Sequence, residues 1–98
     1  MSVKFKLYKL SPKSPKKFKA VSDRCSVKFG ANGYSDMTIH KSPERQRRYI
    51  QRHKRNENWS KNGICTPGWW SRYLLWNKPS LKQSIQDINR NGLVYVQY

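Results

Sequence analysis

Val3-Lys4-Phe5-Lys6-Leu7-Tyr8 opens the chain, Lys17-Phe18-Lys19-Ala20 follows after a turn, and Ser26-Val27-Lys28-Phe29 comes next. Each stretch alternates apolar with basic or polar residues. Successive side chains of a strand point to opposite faces, so a period of two marks a strand with one buried side. Ser11-Pro12-Lys13-Ser14-Pro15 supplies the first turn, and Gly30-Ala31-Asn32-Gly33, whose glycines and asparagine tolerate positive φ, ends the third strand. The expected product is a three-stranded antiparallel meander. With Phe5, Leu7, Phe18, Ala20, Val27 and Phe29 inward, the pleat sends Lys4, Lys6, Lys17, Lys19 and Lys28 to the other face, which becomes a field of lysines.

Helix signals begin downstream. Ser42-Pro43-Glu44 combines a capping side chain, a proline suited to the first helical position and an acid near the positive end of the dipole. A helix is predicted from there to about Asn58. At 100° per residue Arg45, Arg48, Arg52 and Arg55 share a sector of about 80°, while Tyr49, Ile50 and His53 lie beside it and face a core. Thr66-Pro67 repeats the cap-and-proline signal and opens Trp69 to Trp76, apolar except for Ser71 and Arg72, which predicts the central and most buried helix. Pro79 ends it. Ser80-Leu81-Lys82-Gln83 reads as a capping box for a third helix with Leu81, Ile85 and Ile88 on one stripe and Gly92 at its close. Leu93 to Tyr98 is β-branched and aromatic and is assigned to a strand, with docking in a partner's groove as the alternative. The fold class is therefore α+β: an N-terminal antiparallel meander, two or three helices and a C-terminal strand, in one domain spanning residues 1–98.

Charge narrows the function. The 98 residues hold 21 Lys and Arg against 5 Asp and Glu, a formal net charge of +16, so self-repulsion opposes folding unless something anionic binds. Four Trp, six Tyr and three Phe distinguish the chain from a disordered basic tail and suffice for a core. The surplus sits in two blocks, residues 1–20 with seven lysines and no acid and residues 41–61 with eight bases and two acids. No apolar run of about 18 residues and no signal peptide are visible, so the expected compartment is the cytosol or nucleus. Cys25 and Cys65, far apart and outside any close pair, are expected to be free thiols of a reducing compartment, with a mutual disulfide as the alternative.

The chemistry-bearing residues do not assemble into an active-site pattern. Five scattered acids serve better as ion-pair partners than as a catalytic pair, so no catalytic residue is assigned and no enzyme is expected. Cys25, His40, His53 and Cys65 are metal-ligand types, but none forms the close pair that metal sites use, so neither metal nor cofactor is expected. Ser14-Pro15-Lys16-Lys17 is like the basic turns of histone tails, and equally an ordinary lysine-rich hairpin loop. Ser11, Ser14 and Ser42 precede proline and would lower the local charge if phosphorylated. The tryptophans could stack bases, but Trp69, Tyr73 and Trp76 follow helical spacing, which favours core packing. The predicted polyanion-binding set is Lys4, Lys6, Lys16, Lys17, Lys19, Lys28, Arg45, Arg48, Arg52 and Arg55.

Phe29-Gly30-Ala31, Gly33-Tyr34-Ser35-Asp36, Ile39-His40-Lys41, Arg48-Tyr49-Ile50, Arg52-His53, Asn58-Trp59, Gly63-Ile64 and Trp70-Ser71-Arg72-Tyr73-Leu74-Leu75-Trp76-Asn77-Lys78-Pro79-Ser80-Leu81 together resemble a family of small basic proteins encoded by large nucleocytoplasmic DNA viruses. The resemblance spans roughly residues 28–90, and Leu93 to Tyr98 lies beyond it. It implies a viral gene product packaged in the virion and supplies no catalytic residues. Two functions follow as expectations. One is a minor capsid or cement protein docking its cations onto acidic surfaces of capsid proteins. The other is a protein that coats the viral DNA or RNA without reading sequence. The corresponding locations are the virion and the viral factory in the host cytoplasm, or the nucleus.

Overall fold

Alternation in the first third of the chain becomes a sheet with one dry side. A computed structural model describes residues 3–98. In it β1 (Val3–Lys9), β2 (Lys16–Val21) and β3 (Ser26–Ala31) form the antiparallel meander. Leu7 lies opposite Ala20, Ala20 opposite Val27 and Phe18 opposite Phe29, so the inward residues make a continuous apolar surface across three strands. Phe5, Leu7, Phe18, Ala20, Val27 and Phe29 are all buried. The lysine-rich turn is an ordinary hairpin loop, in which the Ser14 N–H donates to the Ser11 carbonyl at 2.9 Å. Asn32 Nδ2 pins it to the end of β3 by donating to the Ser14 carbonyl at 2.6 Å and the Lys16 carbonyl at 3.0 Å.

The C-terminal segment joins the same sheet. β4 (Val94–Gln97) pairs in parallel with β1, Val3 opposite Val94 and Phe5 opposite Val96, giving the order β3-β2-β1-β4. Parallel pairing needs a long crossover, and all the helices lie within it. They are α1 (Met37–His40), α2 (Pro43–His53), a single 3-10 turn (Lys61–Gly63), α3 (Pro67–Trp70) continuing as a π-helical segment (Ser71–Leu75), and α4 (Leu81–Asn91). The predicted caps are present: the side chains of Ser42, Thr66 and Ser80 accept from the N–H groups of Arg45, Trp69 and Gln83, and Gly92 closes α4 at a φ of 79°.

Two helices differ from expectation. α2 ends at His53, short of Asn58, because the His53 carbonyl takes the N–H groups of both Asn56 and Glu57 at 3.0 Å. Asn56 and Asn58 propagate a helix poorly, and the turn frees Trp59 to pack on Tyr49. The tryptophan-rich segment is as buried as predicted, but it is not a uniform α-helix. The Trp76 N–H donates to the Ser71 carbonyl at 2.9 Å, five residues back. That wider turn puts residues five apart on one side, so Trp69 and Trp70 share the core with Leu74 and Leu75. Trp70 is fully buried between Phe5 and Phe29, with ring centroids 4.8 and 5.7 Å away, and its indole N–H donates to the Ile64 carbonyl at 2.7 Å.

The expectation of free thiols is overturned. Cys25 and Cys65 form a disulfide, with Cα atoms 6.0 Å apart. Linear spacing carries no information about this contact. The fold creates it by laying the turn before β3 against the segment before α3, so the bond ties the meander to the helical layer. No helix among the described residues is long and apolar enough to cross a membrane.

Candidate polyanion-binding surfaces

All the helices that contribute to the core cover one face of the sheet. The opposite face stays open and carries the residues that alternate with the core: Lys4, Lys6 and Tyr8 on β1, Lys19 and Val21 on β2, Ser26 and Lys28 on β3, Tyr95 and Gln97 on β4. Register places Tyr8 opposite Lys19, Lys19 opposite Lys28, and Lys4 opposite Tyr95. Lys4, Lys6 and Lys28 are exposed and Lys19 is half-buried, and no ion pair among the described residues involves any of them. Asp23, in the turn from β2 to β3, stands at the rim of this face.

Lys17 leaves the field, contrary to its predicted place. Its ammonium forms an ion pair with Asp36 at 2.5 Å and donates to the Tyr34 carbonyl at 2.6 Å, leaving the side chain only 14% exposed. Asp36 is buried because it also caps α1, accepting from the N–H of Thr38 at 2.9 Å and from the Thr38 hydroxyl. Gly30 makes the geometry possible. At a φ of 75° it presents bare backbone, and a Cβ there would lie 2.6 Å from Leu75 Cδ1 and 3.3 Å from Lys17 Cβ.

Three of the four arginines of the predicted stripe, Arg45, Arg48 and Arg52, lie on α2, whereas Arg55 falls beyond its end. Arg45 and Arg52 line a cleft of about 470 Å³ together with Lys16, Lys17, Leu75 and Trp76. Arg48 instead pairs with Glu44 one turn away, at 2.6 Å, with both side chains about two-thirds exposed. Arg55 stands in the turn after α2. Among the residues lining the cleft the one carboxylate is Asp36, and it is already neutralised by Lys17. Glu57 reaches the rim of the cleft, its carboxylate against Gly68 and 3.8 Å from His53, while Lys16, Arg45 and Arg52 enter no ion pair among the described residues.

Aromatic stacking holds α2 in place. Tyr49 lies parallel to Trp76 at 4.4 Å and stacks on His53 at 4.3 Å, while Trp59 packs beyond it. Burial, helped by the Glu57 carboxylate, pushes the Tyr49 phenol up to about 12 and keeps it neutral. Arg72 lies 5.6 Å from the Trp59 ring centroid and 5.4 Å from that of Tyr73, and donates to the Trp76 carbonyl. That cation belongs to the scaffold. At the start of α2, His40 Nδ1 accepts from the Ser42 N–H at 2.9 Å, while its Nε2 is buried without a partner. Desolvation, then the Arg45 charge, lower the His40 pKa, against an opposing pull from Asp36.

Of the ten predicted cations the fold groups Lys4, Lys6, Lys19 and Lys28 on the open sheet face and Lys16, Arg45 and Arg52 at the cleft. Lys17 goes to structure, Arg48 to a local pair and Arg55 to a turn. The tryptophans are partly or fully packed in the scaffold rather than displayed. Tyr8, which alternates with the inward residues as Lys4 and Lys6 do, is not among the predicted candidates, and neither is Tyr95. Tyr8 shares the parity of Lys4 and Lys6, a readable signal, whereas Tyr95 reaches that face only through the parallel pairing of β4. Residues 6–53 are similar to a family of unknown function, DUF5754, a stretch running from β1 to the end of α2. No curated protein and no solved structure matches the chain.

Proposed function

We propose that the protein is a non-enzymatic structural component of a virus particle, docking onto an acidic surface of a capsid protein through the cleft beside α2. The observation that carries this reading is the convergence of Lys16, Arg45 and Arg52 on one cleft, none of them in an ion pair among the described residues, while Asp36 in its lining is paired with Lys17. A concave site lined by cations suits an acidic segment better than a convex basic patch does, because it desolvates the pairing groups and fixes their geometry. The sequence resemblance supplies the viral context. The disulfide supports it, since such bonds persist on virion surfaces and in oxidising compartments but are rare in the reducing cytosol.

The test is fractionation of particles after the genome has been digested. The protein is expected to stay with the shell, and the Arg45→Glu, Arg52→Glu double variant to be lost from it while keeping its melting transition. Release of the unmodified protein along with the nucleic acid would refute the reading.

A further inference from the structure

We propose that the open face of the sheet is a platform for single-stranded nucleic acid, on which Tyr8 and Tyr95 stack bases while Lys4, Lys6, Lys19 and Lys28 contact phosphates. This does not rest on the shell-docking reading, which uses a different surface. Electrostatics supplies the first argument. Lys19 and Lys28 lie directly opposite one another in the register, and like charges so placed destabilise a sheet. Neither has an ion-pair partner among the described residues. Helices fold over the other side, and the one carboxylate side chain at this face, Asp23, stands at its rim beside Lys4 and Lys6 and forms no ion pair among the described residues. A phosphate bridging the two ammonium groups turns that repulsion into attraction.

Two tyrosines then decide which polyanion fits. Tyr8 is 48% and Tyr95 49% exposed, although Leu7 before Tyr8 and Val94 and Val96 on either side of Tyr95 are buried. Each is the cross-strand partner of a lysine, Tyr8 of Lys19 and Tyr95 of Lys4. Each thus places a ring for a base beside a cation for the adjoining phosphate. Strand geometry separates Tyr8 and Tyr95 by four residues along the strands and one strand across, about 14 Å. One base cannot cover both rings, so the pair calls for two separate, unstacked bases of one strand. A duplex keeps its bases stacked and offers them no face, and an acidic protein surface gains little from them. A four-stranded face of this size accommodates a few nucleotides.

The test uses the full-length oxidised protein and a fluorescently labelled oligothymidylate, with a hairpin duplex and polyglutamate as competitors. Tyr8→Ala and Tyr95→Ala are each expected to weaken oligothymidylate binding by roughly tenfold. The corresponding Phe variants should bind as the unmodified protein does. Lys19→Gln with Lys28→Gln should lower the slope of log affinity against log salt. Both tyrosines are exposed, and an unchanged melting transition shows that the alanine variants remain folded. The proposal is overturned if folded alanine variants bind oligothymidylate normally, or if duplex or polyglutamate competes as well as unlabelled oligothymidylate.

Discussion

Converting Cys25 and Cys65 to serine, or reducing the bond between them, removes a cross-link that closes a loop of 40 residues. The chain-entropy relation for such a loop gives about 13 cal/mol/K, or about 4 kcal/mol at 25 °C. Domains of this size are stable by only about 5–15 kcal/mol, so the loss is a large share of the total. Self-repulsion from a net charge of +16 narrows the margin further. At roughly 4–8 °C per kcal/mol the midpoint of thermal unfolding should fall by about 15–30 °C. The assay is tryptophan fluorescence during a thermal scan with and without reductant, run beside the double serine variant, with thiol titration of the native and reduced forms. Native protein should show no free thiol, and the reduced and double-serine proteins should melt together well below the oxidised one. Coincident melting curves for the oxidised and reduced forms would refute the reasoning, because they would mean that the meander and helical layer need no covalent tie.

Lys17→Met leaves the buried Asp36 carboxylate without its cation and should cost about 3–4 kcal/mol, with much of the loss recovered when Asp36→Asn is added. Urea midpoints of the single and double variants check this, and an additive double variant would rule out a coupled pair. His40 has a lowered pKa in the fold, so below about pH 6.5 the unfolded chain binds more protons, and stability should decline as pH falls from about 7 to 5. Protonating Nδ1 also ejects the Ser42 N–H, so the decline should be shallower in His40→Gln; melting temperatures across that range that are flat, or equally steep in the variant, would contradict the assignment. Gly63→Ala would bring a Cβ within 1.8 Å of the Asn58 carbonyl oxygen, a backbone atom that cannot swing aside, and should cost about 1–3 kcal/mol, measured as a lower urea midpoint.

Much of the fold was legible because local chemistry and global packing agree in this chain. The inward set Phe5, Leu7, Phe18, Ala20, Val27 and Phe29 was readable from a period of two, and the caps Ser42, Thr66 and Ser80 from side chains that satisfy local N–H groups. What escaped was non-local. The Cys25–Cys65 bond depends on a contact 40 residues apart in sequence, which no spacing rule reaches. The diversion of Lys17 depends on Asp36 capping a four-residue helix that has no periodicity of its own. The π-helical turn answers to the need to bury two pairs of large side chains, a demand visible only once the sheet beneath them exists. At the candidate surfaces the same boundary applies: Lys4, Lys6, Lys19 and Lys28 were placed by strand parity, whereas the grouping of Lys16 with Arg45 and Arg52 comes from tertiary structure.

The disposition of the acids explains why the remaining cations face outward. Asp36 holds Lys17 and caps α1, Glu44 pairs with Arg48, Glu57 lies 3.8 Å from His53, and Asp87 accepts from Asn77 at 2.9 Å. Four of the five carboxylates are thus occupied by the fold itself, three at or next to helix termini where a local partner exists. Lys4, Lys6, Lys19 and Lys28 of the sheet face and Lys16, Arg45 and Arg52 of the cleft enter no ion pair among the described residues, and the fifth acid, Asp23, stands at the rim of the sheet face. Folding therefore leaves like charge concentrated on two surfaces. An anion bound at either surface is linked to folding by the same mass action that links any ligand of the native state, and stabilises the domain in proportion to how far its concentration exceeds its dissociation constant. For such an anion recognition and stability are coupled, because the charge it neutralises is the charge whose self-repulsion opposes folding.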